Sequence, residues 1–297
     1  DEKDRSEMAE LAANAKNPIL EKFSTLSRVE DDSLYARDLR PTPYESKRIN
    51  ELLNTPDFIQ LDDNDSLLFW KYRYDLLKSN KRSALTKILN SIKWGEKKSE
   101  EEIIKNILLK WEKVEICDIL YMLSAKFCMN EIYIIDKKVK ISEGYADVRK
   151  YAVNHLNKLS DEDLNFILLQ LVNALRYEDP KNSKLRQCLI SRCSKSVVLA
   201  TSFCWFLQVE SDYTQKKSDK EKSEGEKKKE SMVEIYNEIF EEFKNSISKN
   251  KEVEAAIISQ LKFRENLVNI TKNELSKVSK ADGKKKRLRE ILAPDGS

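Results

Sequence analysis

"DEDLNFILLQLVNALRYE", Asp161 to Glu178, decides the fold class. Leu164, Ile167, Leu168, Leu171, Val172 and Leu175 recur at the i, i+3, i+4, i+7 spacing, which places them on one stripe of an α-helix. Ser160 stands just before, with Asp163 three residues on, an N-terminal capping pair. The carboxylates of Asp161, Glu162 and Asp163 suit the positive end of that helix dipole. The segment therefore predicts a half-buried helix that needs neighbours of the same kind.

Those neighbours follow on both sides. Ile116, Ile119, Leu120, Leu123 and Phe127 form one further stripe, and Val148, Tyr151, Ala152, His155, Leu156 and Leu159 another. Ile235, Ile239, Phe240, Phe243 and Ile247 form a third. Val197 to Val209 is apolar nearly all round and is expected at the centre, and residues 252–280 read as one long helix. Capping boxes mark helix starts at Thr42/Glu45, where Pro43 suits the first helical position, and at Ser99/Glu102 and Ser231/Glu234. Helices succeed one another at roughly 15–20 residues with short polar joints, the pattern of stacked hairpins. The expected fold is all-α, an α-solenoid of antiparallel helical hairpins of armadillo or HEAT type. Two stretches depart from it. "IYIIDKKVKI", Ile132 to Ile141, alternates around a charged turn and fits a small β-hairpin insert. Ser211 to Ser231 is charged and of low complexity, and reads as a mobile loop.

Composition narrows the class. Five glycines and six prolines in 297 residues are too few for the turns of α/β or all-β folds. Lysines and arginines number 54 against 51 acidic residues, a net charge of only +3, which argues against a general polyanion binder. Cys117, Cys128, Cys188, Cys193 and Cys204 form no C-x-x-C pair and follow no secretory leader; they read as reduced cytosolic thiols without a zinc site. The longest apolar run is too short for the ~20 residues of a membrane span. The chain opens on charged residues with no Met, as a piece of something longer does.

"FWKYRYDLLK", Phe69 to Lys78, alternates rings and cations. Such interleaving suits a single-stranded nucleic acid if both share an exposed face. On a helical wheel they separate. Phe69, Tyr72 and Leu76 share one side, with Trp70, Tyr74 and Leu77 beside them, while Lys71, Asp75 and Lys78 form a polar stripe. The stretch predicts one amphipathic core helix, with Arg73 paired to a carboxylate or laid over a ring.

Five of these segments carry a resemblance. "FWKYRYDLL" with "ALTKILNSIKW" (Ala84–Trp94), "DVRKYAVNHL" (Asp147–Leu156), "DEDLNFILLQLVNALRYE" and "LISRCSKSVVLATSFCWFLQVES" (Leu189–Ser211) occur in the order of the helical accessory domain of phosphatidylinositol 3-kinases. The class III, vacuolar-sorting type is the most similar. "NPILEKFSTLSR" and "DLRPTPYESKRINELLNTP" resemble that family's connection from a C2 domain, and "KKKRLREIL" (Lys284–Leu292) its lead-in to a kinase domain. The insert at 128–143 has no recognised counterpart. The resemblance implies a linker at 1–41, a helical domain at 42–282 and a second linker from 283 to 297. It implies a parent enzyme that transfers phosphate from ATP, with Mg²⁺, to the 3-hydroxyl of phosphatidylinositol in vesicle trafficking and autophagy. It also implies partners: the parent's own C2 and kinase domains and the regulatory subunits of a lipid-kinase complex. The parent would be cytoplasmic and peripheral at endosomal and autophagic membranes.

The chemistry of that transfer needs a nucleotide cradle, a phosphate-binding Lys and metal-holding Asp and Asn. The sequence has no Gly-rich loop, no G-x-x-x-x-G-K-[ST], no D-F-G and no H-R-D. No catalytic, cofactor-binding or metal residue is assigned, and the segment is expected not to be an enzyme by itself. His155, the sole histidine, lies on a stripe and reads as structural. Asp161–Asp163 and Glu100–Glu102 read as first-turn charges. Lys284–Arg289 reads as a solvated linker. Two other readings stay open: an unrelated α-solenoid adaptor or nucleic-acid binder using Lys71, Arg73 and the terminal basic run, and the helical domain of another phosphoinositide kinase class.

Overall fold

Caps decide where the helices begin. The computed structural model describes residues 37–56, 59–81, 83–130, 141–218 and 226–292, with backbone alone for 212–218 and 226–233. These residues hold thirteen α-helices and, among the described residues, no strand. The all-α expectation holds. Most of the 1–41 linker and all of the proposed hairpin but Ile141 lie outside the described residues. The chain divides into two compact units, Asp1–Asp118 and Ile119–Ser297, a boundary the sequence reading did not place.

In the first unit α1 (Pro43–Leu53) starts on the expected capping box, with Thr42 N–H donating to Glu45 at 2.9 Å. Asp62 caps α2 (Asp63–Lys71) through the Asp65 N–H at 2.7 Å. The aromatic stretch is not one helix. α2 ends at Lys71, Tyr72 leaves helical geometry, and α3 (Arg73–Ser79) restarts. Tyr72, Arg73 and Tyr74 are all buried. Phe69, Tyr72, Tyr74 and Leu76 fill the core, as a core segment should. Asn80 and Ser83, both at positive φ, turn the chain into α4 (Ala84–Ser91), which packs on α2 and α3. Asn tolerates the left-handed region by bonding locally; Ser does so at some strain.

α5 (Lys97–Asn106) corrects one capping box. Glu96, not Ser99, is the N-cap, and Ser99 sits inside the first turn with its hydroxyl on the Glu96 carboxylate at 2.9 Å. Glu102 is thereby freed for another role. α6 (Ile116–Met122) follows, and a 3₁₀ turn at Ala125–Phe127 completes its stripe.

The second unit holds α7 (Glu143–Leu156), α8 (Asp161–Ala174), α9 (Lys184–Cys193), α10 (Val197–Ser218), α11 (Glu226–Ile247) and α12 (Lys251–Asn269). Ser160 caps α8 as read, and every residue of its stripe is buried. α7 packs on α9, α8 on α10, α9 on α11 and α10 on α12, besides the consecutive pairs α9–α10, α10–α11 and α11–α12. α10 is central but not buried all round, since Val198 and Val209 are exposed. Its polar residues face α12: Gln260 bonds Trp205 at 2.9 Å and Thr201 at 3.1 Å, and Arg264 bonds Gln208 at 2.8 Å. Phe203 of α10 meets Phe243 of α11 edge to face at 5.1 Å.

Three further readings change. The charged stretch 211–231 is helical at both ends, to Ser218 and from Glu226, with 219–225 outside the described residues. Ser231 therefore lies within α11 rather than capping it. Glu and Lys are good helix formers, so charge alone did not mark a loop. Residues 252–280 are not one helix. α12 gives way to a π turn at Ile270–Glu274 and a 3₁₀ turn at Leu275–Lys277. Thr271 bonds back to the carbonyls of Leu267 and Val268, both at 2.9 Å, which bends helices. Residues 283–292, read as the start of a linker, are helical within α13 (Ala281–Leu292).

Candidate functional site, a set of charged joints between helices

Buried cations join the helix ends within each unit. α7 places Arg149 on the same face as Val148 and Ala152, and all three are buried. Its Nε–H donates to the Glu178 carboxylate. Its Nη1 donates to the carbonyls of Leu123 at 3.0 Å and of Ser124 and Phe127 at 3.3 Å. Nη2 donates to Ala174 at the end of α8, also at 3.3 Å. Ends of helices carry unpaired carbonyls and partial negative charge, so a guanidinium there supplies both donors and counter-charge. The other Glu178 oxygen accepts from Ser183 Oγ at 2.9 Å and Leu185 N–H at 3.3 Å, where α9 begins. One ion pair thus holds α7, the end of α8, the start of α9 and the turns before α7.

Arg192 on α9 repeats the device. It donates to the carbonyls of Asn157 at 3.3 Å and Leu159 at 2.9 Å, beyond α7, and to Asp161 at 2.5 Å. Arg186 on α9 meets Glu242 on α11 at 2.7 Å, and Arg176 meets Glu210 on α10 at 2.9 Å.

The first unit has its own joints. Arg73 donates to the Trp70 carbonyl at 2.7 Å and to Glu102 at 3.3 Å, and lies over the rings of Trp70 at 4.5 Å and Tyr74 at 5.0 Å. It thus finds both a carboxylate and rings. Glu102 also accepts from the Tyr74 hydroxyl and from Asn106. Burial works to raise its pKa, but these hydrogen bonds and the Arg73 charge hold it below the usual range. Burial, with the bond to Glu102, raises that of Tyr74. Lys87 is fully buried on α4 and donates to Thr55 at 3.0 Å and the Pro56 carbonyl at 2.8 Å. Arg48 of α1 grips Asp65 of α2 through two bonds, at 3.0 and 2.7 Å.

Arg73, Lys87, Arg149, Glu178 and Arg192 each stand in a stretch that resembles the phosphatidylinositol 3-kinase helical domain. Residues 37–252 match the family described as "Phosphoinositide 3-kinase family, accessory domain (PIK domain)". The chain belongs to this family. Within it, the accessory domain is 36% identical over 194 residues to "Phosphatidylinositol 3-kinase VPS34" of Arabidopsis thaliana, covering 65% of the chain and 22% of the relative. It is 27% identical over 274 residues to "Phosphatidylinositol 3-kinase pik3" of Schizosaccharomyces pombe, 89% of the chain and 30% of the relative. It is 31% identical over 163 residues to "Phosphatidylinositol 3-kinase VPS34" of Saccharomyces cerevisiae, 55% of the chain and 16% of the relative. The chain spans less than a third of each relative's length.

The remaining candidate residues of the accessory domain are dispersed. His155 is half-buried, with Nδ1 at 3.1 Å from the Tyr151 carbonyl and its ring tilted against that of Tyr151; burial lowers its pKa. Asp163 closes the Ser160 cap at 2.8 Å, and Asp161 belongs to the Arg192 joint. Glu100 accepts from the Gly95 N–H, and Glu101 pairs with Lys105 at 2.9 Å. Lys71 pairs with Glu45 at 3.1 Å and lies over the Tyr72 ring. Cys117 is exposed and the other four thiols are buried. Among the described residues no three His, Cys, Asp or Glu gather as metal ligands, and no helix is long and apolar enough to cross a membrane. Sequence periodicity missed Lys87, Arg149 and Glu178, because it counts apolar residues and reads a charge as solvated.

Proposed function

We propose that the chain is the helical scaffold of a class III-type phosphatidylinositol 3-kinase, and does no chemistry of its own. The parent would phosphorylate the 3-hydroxyl of phosphatidylinositol with ATP and Mg²⁺, in vesicle trafficking and autophagy. The scaffold would hold a C2 domain and a kinase domain and present surfaces to regulatory subunits. The parent would be cytoplasmic and peripheral at endosomal and autophagic membranes.

One observation carries this reading. The cations in the family-like stretches are committed to joining helices: Arg149 to Glu178 and helix-end carbonyls, Arg73 to Glu102, Lys87 to the Pro56 carbonyl. Fixed joints of this kind make a stiff spacer. The activity is that named for the relatives.

The test pairs two proteins. The purified chain, given ATP, Mg²⁺ and phosphatidylinositol vesicles, is expected to form no 3-phosphorylated lipid, whereas the longer protein that contains it forms it. Turnover by the chain alone, or none by the longer protein, sinks the proposal.

A further inference from the structure

α9 and α11 pack side by side, with α7 against α9 and α12 against α11. Between α9 and α11 lies a groove of about 550 Å³, a size usual for small-molecule sites, roughly 300–1,000 Å³. It lies inside the second unit, between helices that have neighbours on both flanks.

Two equivalent turns supply its cations. Ser194-Lys195-Ser196 joins α9 to α10, and Ser248-Lys249-Asn250 joins α11 to α12. Asn250 caps α12, and Ser196 Oγ accepts the Leu199 N–H at 3.5 Å. A lysine precedes each of these residues, and both lysines line the groove. Neither ammonium group is spent on a helix end. The Ile190 and Arg192 carbonyls accept the Ser194 and Lys195 N–H groups at 3.0 and 3.2 Å, and those of Ser246 and Ile247 accept the Lys249 and Asn250 N–H groups at 3.4 and 2.8 Å. Among the described residues neither lysine has a carboxylate partner. Glu242 also lines the groove, but Arg186 holds it at 2.7 Å. The side chains of Gln187, Ser191 and Ser246 complete the polar lining and make no hydrogen bond among the described residues.

We propose that this groove binds the phosphate monoester of a small polyol. Such a group carries a charge of about −1.5 to −2 near neutral pH and three strong acceptor oxygens, which two unpaired ammonium groups match and a single carboxylate does not. The hydroxyls of Ser191 and Ser246 and the Gln187 amide suit a hydroxylated skeleton, which both donates and accepts. A protein segment seated here would need an apolar anchor, and Ile190 is the one apolar residue of the lining. A bilayer surface cannot enter a groove between two helices, although a phosphorylated headgroup can. The ester can therefore be free in solution or borne by a lipid. The inference stands apart from the scaffold reading.

The experiment is calorimetric titration of the full chain with inositol 1-phosphate, inorganic phosphate and inositol. The ester is expected to bind about tenfold tighter than either of its halves. K195Q and K249Q are each expected to weaken it about tenfold. S191W, which fills the groove and leaves both charges, is expected to abolish binding. All three positions are exposed, so the variants should keep the helical circular dichroism of the parent chain. No binding of the ester overturns the proposal, as does inorganic phosphate binding equally well. Binding unchanged in either lysine variant or in S191W also overturns it. Once the ester binds, vesicles carrying phosphatidylinositol 3-phosphate name the source. Competition with inositol 1-phosphate assigns a lipid headgroup, and its absence assigns a free ester; either result keeps the groove as the site.

Discussion

Asp161 and Arg192 meet at 2.5 Å, from the first residue of α8 to the last turn of α9. The same guanidinium covers the Leu159 carbonyl at 2.9 Å. The two parts differ in weight, since the Asp161 side chain is 55% exposed. An exposed ion pair contributes ~0–1 kcal/mol, whereas losing donors to helix-end carbonyls costs ~1–3 kcal/mol. Arg192→Ala is thus expected to destabilise the second unit by about 1–3 kcal/mol, and Asp161→Asn by under ~1 kcal/mol. Urea unfolding of both variants checks the order; equal losses would show that the carbonyl bonds contribute nothing.

The Arg149–Glu178 pair is buried on both sides. Arg149→Met leaves an unpaired carboxylate and is expected to cost ~3–5 kcal/mol. Combining it with Glu178→Leu removes that stranded charge, so the double variant should lose less than the sum of the singles. A double-mutant cycle by denaturant unfolding measures the coupling. Additive losses would mean the two groups act separately.

Lys87 makes a similar test in the first unit. Lys87→Met keeps the buried stem but removes the 2.8 Å donor to the Pro56 carbonyl, which retains the Ile59 N–H at 3.2 Å, an expected loss of about 1 kcal/mol. Lys87→Ala adds a cavity and should lose ~2 kcal/mol more. Thermal unfolding of the two variants separates bond from volume.

These joints mark the limit of what the sequence discloses. The α8 stripe could be read residue by residue, because burial of Leu164 through Leu175 follows one period. Arg149 could not, because its role depends on carbonyls at positions 123–127 and 174 that only folding brings near. The break at Tyr72 has no glycine or proline to announce it. Ser99 was misread as a cap since serine and glutamate at that spacing also fit inside a first turn. The order of family-like stretches was legible throughout.

Acid should weaken the start of α1. Burial by itself would raise the Glu45 pKa, but the Thr42 N–H, the Tyr72 and Thr42 hydroxyls and Lys71 together bring it down to about 2. A folded pKa below the unfolded one contributes stability that is whole above the ordinary carboxylate range and disappears as pH falls through 4.5 toward about 2. Glu45→Gln should remove this dependence. The stability gap between the two proteins, about 1 kcal/mol at neutral pH, is expected to close over that window. A gap independent of pH in urea titrations would mean that the carboxylate charge plays no part.

Thiol chemistry reports on the core directly. Cys117 is exposed, while Cys128, Cys188, Cys193 and Cys204 are buried, and burial raises the Cys204 thiol to about 11. Thiolate is the reactive form. Partial burial and the Asp118 and Glu115 carboxylates raise the Cys117 thiol as well, so accessibility sets the order: an aromatic disulfide reagent at mildly alkaline pH should modify Cys117 first and the other four only on unfolding. Rapid modification of more than one thiol would contradict the packing of α9 and α10.

The pairing of α7 with α9, α8 with α10 and α10 with α12 means that no helix of this unit waits for a distant one. Chains dominated by such near-neighbour contacts fold fast, and synthesis delivers them N-terminus first. The layer formed by α7 to α10 can therefore close while α12 is still inside the ribosome, each new helix docking on a surface already built.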